Sequence, residues 1–335
     1  MNFYERRARR ILPALFLVII FSSILAFVLL TRSEVGSYFR SVVASILFYS
    51  NYYFYKTTPY FRSESDLEPL IHTWSLSIEE QFYIIFPLFL IILYKYFKDK
   101  ILIILILGFL FSLIVCHIAA LKTGGTFNFY FTLTRAWELA LGSISAYFIF
   151  KNKINLTKKI NNFISFIGLF LIIFPIFYFT RQTIYPSFYT LIPTIGTVLI
   201  ILFADKSTFA NKILSKKFLV SIGLVSYSFY LWHQPLYAIG RIYFDNFSDT
   251  LKISSLAVSL ILSYFSYTFI EKIFRNKKKI NSKNFLKYIL FFLLILLSFS
   301  FLNINLFHAK SKNGTESRLA KLLSEKDAVY SSKMD

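Results

Sequence analysis

The sequence predicts an all-α fold, a polytopic bundle of transmembrane helices with about nine full spans plus one re-entrant or half-crossing segment. Three observations predict it. Only 16% of the 335 residues are charged, against about 25% in ordinary soluble domains, while 56% are hydrophobic. The charges cluster and leave apolar runs of membrane length. Lys and Arg then fall between those runs with a bias toward alternate connections.

The first run, Ile11–Leu30, carries no charge. A helix of about 20 residues rises roughly 30 Å, the thickness of a bilayer core. Runs of similar character follow at Ile78–Tyr94, Ile101–Leu121, Phe127–Phe150, Phe163–Thr180, Ser187–Ala204, Phe218–Ile239, Ile253–Ile270 and Phe285–Phe307. A further segment, Ser41–Tyr55, is short and aromatic. If every span crosses and Ser41–Tyr55 does not, one set of connections holds 22 Lys and Arg and the other holds eight. The rich set contains Arg6–Arg10, Lys95–Lys100, Lys151–Lys159, Lys206–Lys217 and Lys272–Lys287, which the positive-inside rule puts in the cytoplasm. A full crossing at Ser41–Tyr55 would reverse that bias from Lys95 onward, so it is read as re-entrant. The amino terminus is then cytoplasmic and the carboxyl terminus external. The division is a membrane domain over 1–307 and a polar, disordered external tail over 308–335.

The net charge of +20 would suggest nucleic acid in a soluble chain. Here the cations flank apolar runs, so the expected partner is membrane lipid and not nucleic acid. The lone cysteine, Cys116, has no intramolecular partner and says nothing of redox compartment.

Ionisable groups at membrane depth cost roughly 2.5–3.5 kcal/mol each and therefore mark candidate sites. His72-Thr73-Trp74-Ser75-Leu76-Ser77-Ile78-Glu79-Glu80-Gln81 is the first such place. A capping box from Ser77 to Glu80 accounts for Glu80 but leaves His72 and Glu79 unexplained. Arg135 and Glu138, three apart on one face, read first as a structural pair. Ser226, Tyr230, His233 and Tyr237 form a polar stripe on an apolar helix. Ser263, Tyr267 and Glu271 repeat the four-residue spacing. All three tryptophans, Trp74, Trp137 and Trp232, sit in these places, so they mark either a shared cavity or an interfacial belt. The arginines at 6, 7, 9 and 10 serve as topology anchors or as a phosphate clamp. No metal site is expected.

These motifs resemble the large bacterial acyltransferase family of the O-antigen acetylase type, acyltransferase family 3. The likeness is carried by Phe3-Tyr4-Glu5-Arg6-Arg7-Ala8-Arg9-Arg10-Ile11-Leu12-Pro13, by the stretch from His72 to Tyr83, by Ser226-Tyr227-Ser228-Phe229-Tyr230-Leu231-Trp232-His233-Gln234-Pro235, and by Phe269-Ile270-Glu271-Lys272. The resemblance implies an O-acyltransferase of the bacterial cytoplasmic membrane. Acetyl-CoA would be the donor on the cytoplasmic side, and a surface glycan such as lipopolysaccharide or another polysaccharide the acceptor. Arg7 and Arg10 match the paired arginines associated with CoA, and Glu79 matches the acidic position of the Trp-Ser-Leu-Ser stretch. His72, His233, Arg135 and Glu138 are further catalytic candidates. The family pattern begins with two more membrane segments, the first carrying the histidine regarded as catalytic base. It often continues into an SGNH-type external domain. The expectation is that DNA upstream of Met1 encodes those two segments and that this chain without them is inactive. The alternative readings are a transporter or flippase of glycan precursors, or an inactive fragment.

The orientation is open to direct test. A membrane-impermeant thiol reagent applied to intact cells should label a cysteine placed at Gly314 and miss one at Asn276; the reverse pattern would contradict the topology.

Overall fold

A computed structural model describes residues 2–58, 63–151, 156–180, 183–244 and 246–308. Every regular element among them is helical, as predicted. The helices are α1 (Asn2–Leu29), α2 (Arg32–Ile46), α3 (Ser50–Thr57), α4 (Thr73–Tyr96), α5 (Ile101–Thr123), α6 (Thr126–Tyr130), α7 (Thr132–Phe150), α8 (Lys158–Tyr178), α9 (Leu191–Phe203), α10 (Phe209–Leu214), α11 (Lys217–Tyr243), α12 (Asp249–Phe265), α13 (Lys272–Arg275) and α14 (Ser282–His308). A helix occupies each of the nine predicted spans. Among the described residues, six stretches are long and apolar enough to cross a bilayer by length and composition: α1, α4, α5 with its leading turn, α8, the run through α12 and α13, and α14. The stretch Phe188–Phe203 is apolar but shorter. The run predicted at Phe127–Phe150 is broken at Phe131, whose backbone is extended between α6 and α7. The tail from residue 309 onward lies outside the described residues.

The chain forms two compact units, Met1–Ser77 with Ile222–Asp335, and Ile78–Ser221. In the first, α2 packs along α14 and against α1. Its residues from Val35 to Ile46 are buried apart from Ser37 and Arg40. The segment read as re-entrant is thus two short helices, with α2 sunk in protein. The break between them is not buried: Leu47 and Tyr49 are exposed. The break is a Schellman turn. Tyr49 N–H donates to Ala44 O at 2.9 Å and Phe48 N–H to Ser45 O at 3.3 Å, with Phe48 at φ +54°. A left-handed non-glycine residue costs roughly 1–2 kcal/mol. A hydroxyl ladder holds the turn closed: Ser45 Oγ meets Thr73 Oγ1 at 2.8 Å, Thr73 meets Ser50 at 3.0 Å, and Ser50 meets Ser77 at 2.7 Å.

That ladder also revises one expectation. Ser77 is no N-cap, because α4 already begins at Thr73 through a tight turn in which Thr73, Trp74 and Ser75 donate to Leu70, Ile71 and His72. The capping box with Glu80 is therefore absent, and the Ser77 hydroxyl is used between helices instead.

In the second unit α5 packs on α7 and α8 on α9. Ser112 bridges one turn of α7, donating to Leu133 O at 2.5 Å and accepting from Trp137 N–H at 3.0 Å. Helices α8 and α9 touch through Gly168 and Gly196, where a Cβ on either would lie 2.8 Å from the other's carbonyl oxygen. Close backbone approach through small residues is how membrane helices gain van der Waals contact. Gly168→Ala should therefore destabilise the protein by about 1–3 kcal/mol through overpacking, read as a lower unfolding midpoint in detergent. Gly142→Ala, where a Cβ meets nothing within 4 Å, should leave the midpoint unchanged.

Candidate functional site

The motif residues of the first unit gather at the amino-terminal end of α4 and the middle of α11. His72 is 6% exposed, and neither of its ring nitrogens has a hydrogen-bond partner among the described residues. Its ring lies edge-on to Tyr230 at 5.0 Å and to His233 at 5.5 Å. The Tyr230 hydroxyl donates to the His72 carbonyl, so Ser75 Oγ must donate its proton to Tyr230, 2.9 Å away. Nδ1 of His233 faces the carbonyls of Tyr230 at 2.8 Å and Phe229 at 3.2 Å. Carbonyls only accept, so Nδ1 carries the proton and Nε2 of the neutral ring keeps its lone pair. Burial first, and then the repulsion that a second protonated ring at His233 would add, push the His72 imidazole well below its ordinary range. The arrangement is a pair of neutral imidazoles with one lone pair fixed in place.

The connector ahead of α4 is fastened over this cluster. Gln234 Nε2 donates to Glu68 O at 3.1 Å, and Arg241 pairs with Asp66 at 2.5 Å while also donating to the Tyr237 hydroxyl at 2.9 Å. Tyr237 thus belongs to the fastening. Ser226 does not join the predicted stripe; it is exposed and turns back to Gly223 O. The buried polar residue of that region is Ser228, which donates to the Glu271 carboxylate, while Trp232 Nε1 donates to Ser266 Oγ at 2.7 Å.

The spacing that brings Ser266 and Glu271 to one face is five residues, not four. A π-helical turn at Ser266–Glu271 supplies it. Ser263, Ser266 and Glu271 are buried and Tyr267 is not, so the regular stripe through Ser263, Tyr267 and Glu271 is replaced. π turns recur at functional sites, and here one presents a carboxylate to Ser228.

The arginine cluster divides by role. Arg9, which the sequence reading did not single out, is 1% exposed. It donates to Glu5 at 2.9 Å, to Phe274 O at 2.8 Å and to Ile280 O at 2.9 Å, and lies 4.4 Å over the Phe285 ring. Glu5 also takes Lys277 and Ser282. Arg9 is therefore a structural pin between α1 and the α13–α14 connection. Arg10 is exposed and Arg7 half-buried on the same turn.

The second unit holds the remaining candidates. Arg135 and Glu138 form the expected pair at 2.7 Å. Glu79 is exposed and Glu80 buried at 8%. Gln81 accepts from the Thr132 hydroxyl. Trp74, Trp137 and Trp232 are all buried, which excludes an interfacial belt for them. Trp137 belongs to the second unit and the other two to the first.

The profile of the acyltransferase domain family matches residues 1–270, which include the arginine turn, the His72–Gln81 stretch and the His233 helix. The chain belongs to this family. It is 32% identical over 290 residues to O-acetyltransferase OatA of Staphylococcus aureus, covering 83% of this chain and 48% of that one. It is 30% identical over 299 residues to a candidate peptidoglycan O-acetyltransferase, YrhL of Bacillus subtilis, covering 82% and 46%. A Haemophilus influenzae protein with no assigned activity is 31% identical over 214 residues, covering 60% and 85%. The chain spans about half the length of the two acetyltransferase relatives. No solved structure matches it.

The division of the arginines predicts unequal stability effects. Arg9→Ala leaves the Phe274 and Ile280 carbonyls without their donor, while Glu5 keeps Lys277 and Ser282, and should cost about 1–3 kcal/mol, seen as a lower unfolding midpoint. Arg10→Ala should stay within about 0.5 kcal/mol.

Proposed function

We propose that this chain forms the membrane-embedded part of an O-acyltransferase. It moves an acetyl group from cytoplasmic acetyl-CoA to a hydroxyl of an envelope carbohydrate. The acceptor class is a cell-wall glycan such as peptidoglycan, the substrate named for YrhL. The observation that carries this reading is His72, a buried imidazole inside a family motif with both nitrogens unpaired and His233 beside it. Buried polar groups are almost always satisfied, so an orphaned one marks a place for a ligand.

The chemistry follows from those residues. An acceptor hydroxyl hydrogen-bonded to Nε2 of His233 attacks the thioester carbonyl. The new C–O bond forms as the C–S bond breaks, and the hydroxyl proton leaves through an imidazole to the departing CoA sulfur. Arg7 and Arg10 hold the CoA phosphates, which Arg9 cannot do while it is committed to Glu5 and two carbonyls. Tyr227, whose hydroxyl reaches Ile11 O at 3.0 Å, precedes His233 by six residues, roughly 9 Å along α11. The arginine turn and the imidazole pair are thus within reach of one extended thioester arm. Glu79 keeps the acidic role that its family position implies. The bilayer orientation is that given by the Lys and Arg asymmetry.

Labelled acetate incorporated into wall glycan, in cells carrying the gene with its native upstream sequence, tests the reading. Arg7→Ala and Arg10→Ala should raise the KM for acetyl-CoA about tenfold, the loss of roughly 1.4 kcal/mol of binding, whereas Lys158→Ala should not. Glu79→Gln and His233→Ala should lower kcat. Transport of glycan without acetylation, or donor dependence identical in all three basic variants, would overturn it.

A further inference from the structure

In the first unit, the arginine turn of α1 meets α13 at a defined point. Arg9 donates to the Phe274 carbonyl at 2.8 Å, and Arg10 and Arg275 are the next residues in the chain. Chain neighbours stand about 3.8 Å apart at Cα. That bond therefore holds the Arg10 and Arg275 backbones about one arginine side chain apart. The π turn ahead of α13 also packs on α1. Tyr227 ties α11 to the same turn through Ile11 O at 3.0 Å, and Ser228, the next residue, donates to Glu271. The Glu271 carboxylate, 1% exposed, lies where the charges of both Arg10 and Arg275 act on it. Both arginines are exposed, and neither makes a hydrogen bond or an ion pair through its side chain among the described residues.

We propose that Arg275 is the opposite jaw of the phosphate clamp, holding a phosphate of the CoA nucleotide from α13 while Arg10 holds it from α1. The inference rests on the acetyl-CoA reading above and adds a binding residue to it. A guanidinium presents a planar fork of donors that matches two phosphate oxygens at once. Two such forks held close repel each other, and the nearby Glu271 carboxylate offsets that repulsion while the group stays net positive. Arg9 cannot join the clamp, because its donors are spent on Glu5 and two carbonyls; it sets the spacing instead. An arginine that served only as a topology anchor would need no buried carboxylate beside it. The place in the chain agrees. The arginine turn and the connection after α13 both belong to the Lys- and Arg-rich set that the positive-inside bias puts on the donor's side. A lipid headgroup carries the same phosphate chemistry, and the test separates the two sources.

Lys278, an exposed cation of the same connection, provides the control. CoA is titrated by calorimetry into the full chain in phosphatidylcholine nanodiscs. Arg275→Ala should weaken binding about tenfold, as should Arg10→Ala. The double variant should lose less than the product of the two, because both jaws act on one phosphate. Lys278→Ala should leave binding unchanged. Arg275→Lys keeps the charge and removes the fork, so it should still weaken binding about threefold, and it serves as the test if the alanine variant does not fold. Unchanged CoA affinity in the Arg275 variants, or an equal loss in Lys278→Ala, would overturn the proposal. If a lipid headgroup occupies the pair instead, Arg275→Ala lowers the phosphatidylglycerol that co-purifies with the chain and leaves CoA affinity as it was, which also overturns it. The two readings fail separately. Loss in Arg10→Ala with none in Arg275→Ala retains the donor and removes the second jaw. Absence of CoA binding by the unmodified chain removes the donor reading and the clamp with it.

Discussion

Hydrocarbon satisfies no hydrogen bond, so each polar group this chain carries to membrane depth must find its partner in the protein. That constraint organises the first unit. Ser22 and Ser23 on α1 meet the Tyr38 hydroxyl of α2 at 2.7 and 3.2 Å. The ladder from Ser45 to Ser77 then ties α2, α3 and the start of α4 together. Ser228 with Glu271 and Trp232 with Ser266 tie α11 to the π turn. Arg9 closes the opposite end by filling two carbonyls of the α13–α14 connection. Each link is worth only about 1 kcal/mol net, but breaking one leaves an orphan that costs more than the link itself contributed.

Against that background the histidine pair stands out physically. Tyr230, Ser75, Gln234 and Arg241 all spend their donors on holding the connector and the two helices in register. His72 spends nothing. Its ring is enclosed, neutral and next to the fixed lone pair of His233. The protein has built rigid walls around a group it does not itself satisfy, which is the expected form of a preorganised ligand site.

The helices and the motif positions were legible in the sequence because they depend on composition over whole turns. Apolar runs and flanking lysines survive any local irregularity. What escaped depends on single residues. The turn at Phe48 has no glycine or proline to announce it; burial of α2 and the hydroxyl ladder force a left-handed phenylalanine. The π turn shifts the phase by one residue, so a four-residue stripe through Tyr267 misplaces the buried face. Arg9 differs from Arg7 and Arg10 only in the direction it faces on α1, and the carbonyls it fills lie more than 260 residues away in sequence. Ser77 was read from local capping rules and is instead used across helices. Arg135 with Glu138, whose partner lies one helical turn away, was read correctly for the same reason that the others were not.

The central claim is that His72 is a neutral, enclosed imidazole awaiting a ligand. Selective ¹⁵N-histidine labelling of the full chain in nanodiscs tests it directly, with His72→Gln used to assign the signal. With a folded-state pKa held below the unfolded value of about 6.5, His72 should still be neutral where a free imidazole is already protonated. It should cost stability only as the pH falls below that value, where the unfolded chain takes up the proton first. Its ring nitrogens should shift when a chito-oligosaccharide and CoA are added together. A signal that titrates near 6.5, or one indifferent to both ligands, would contradict the account.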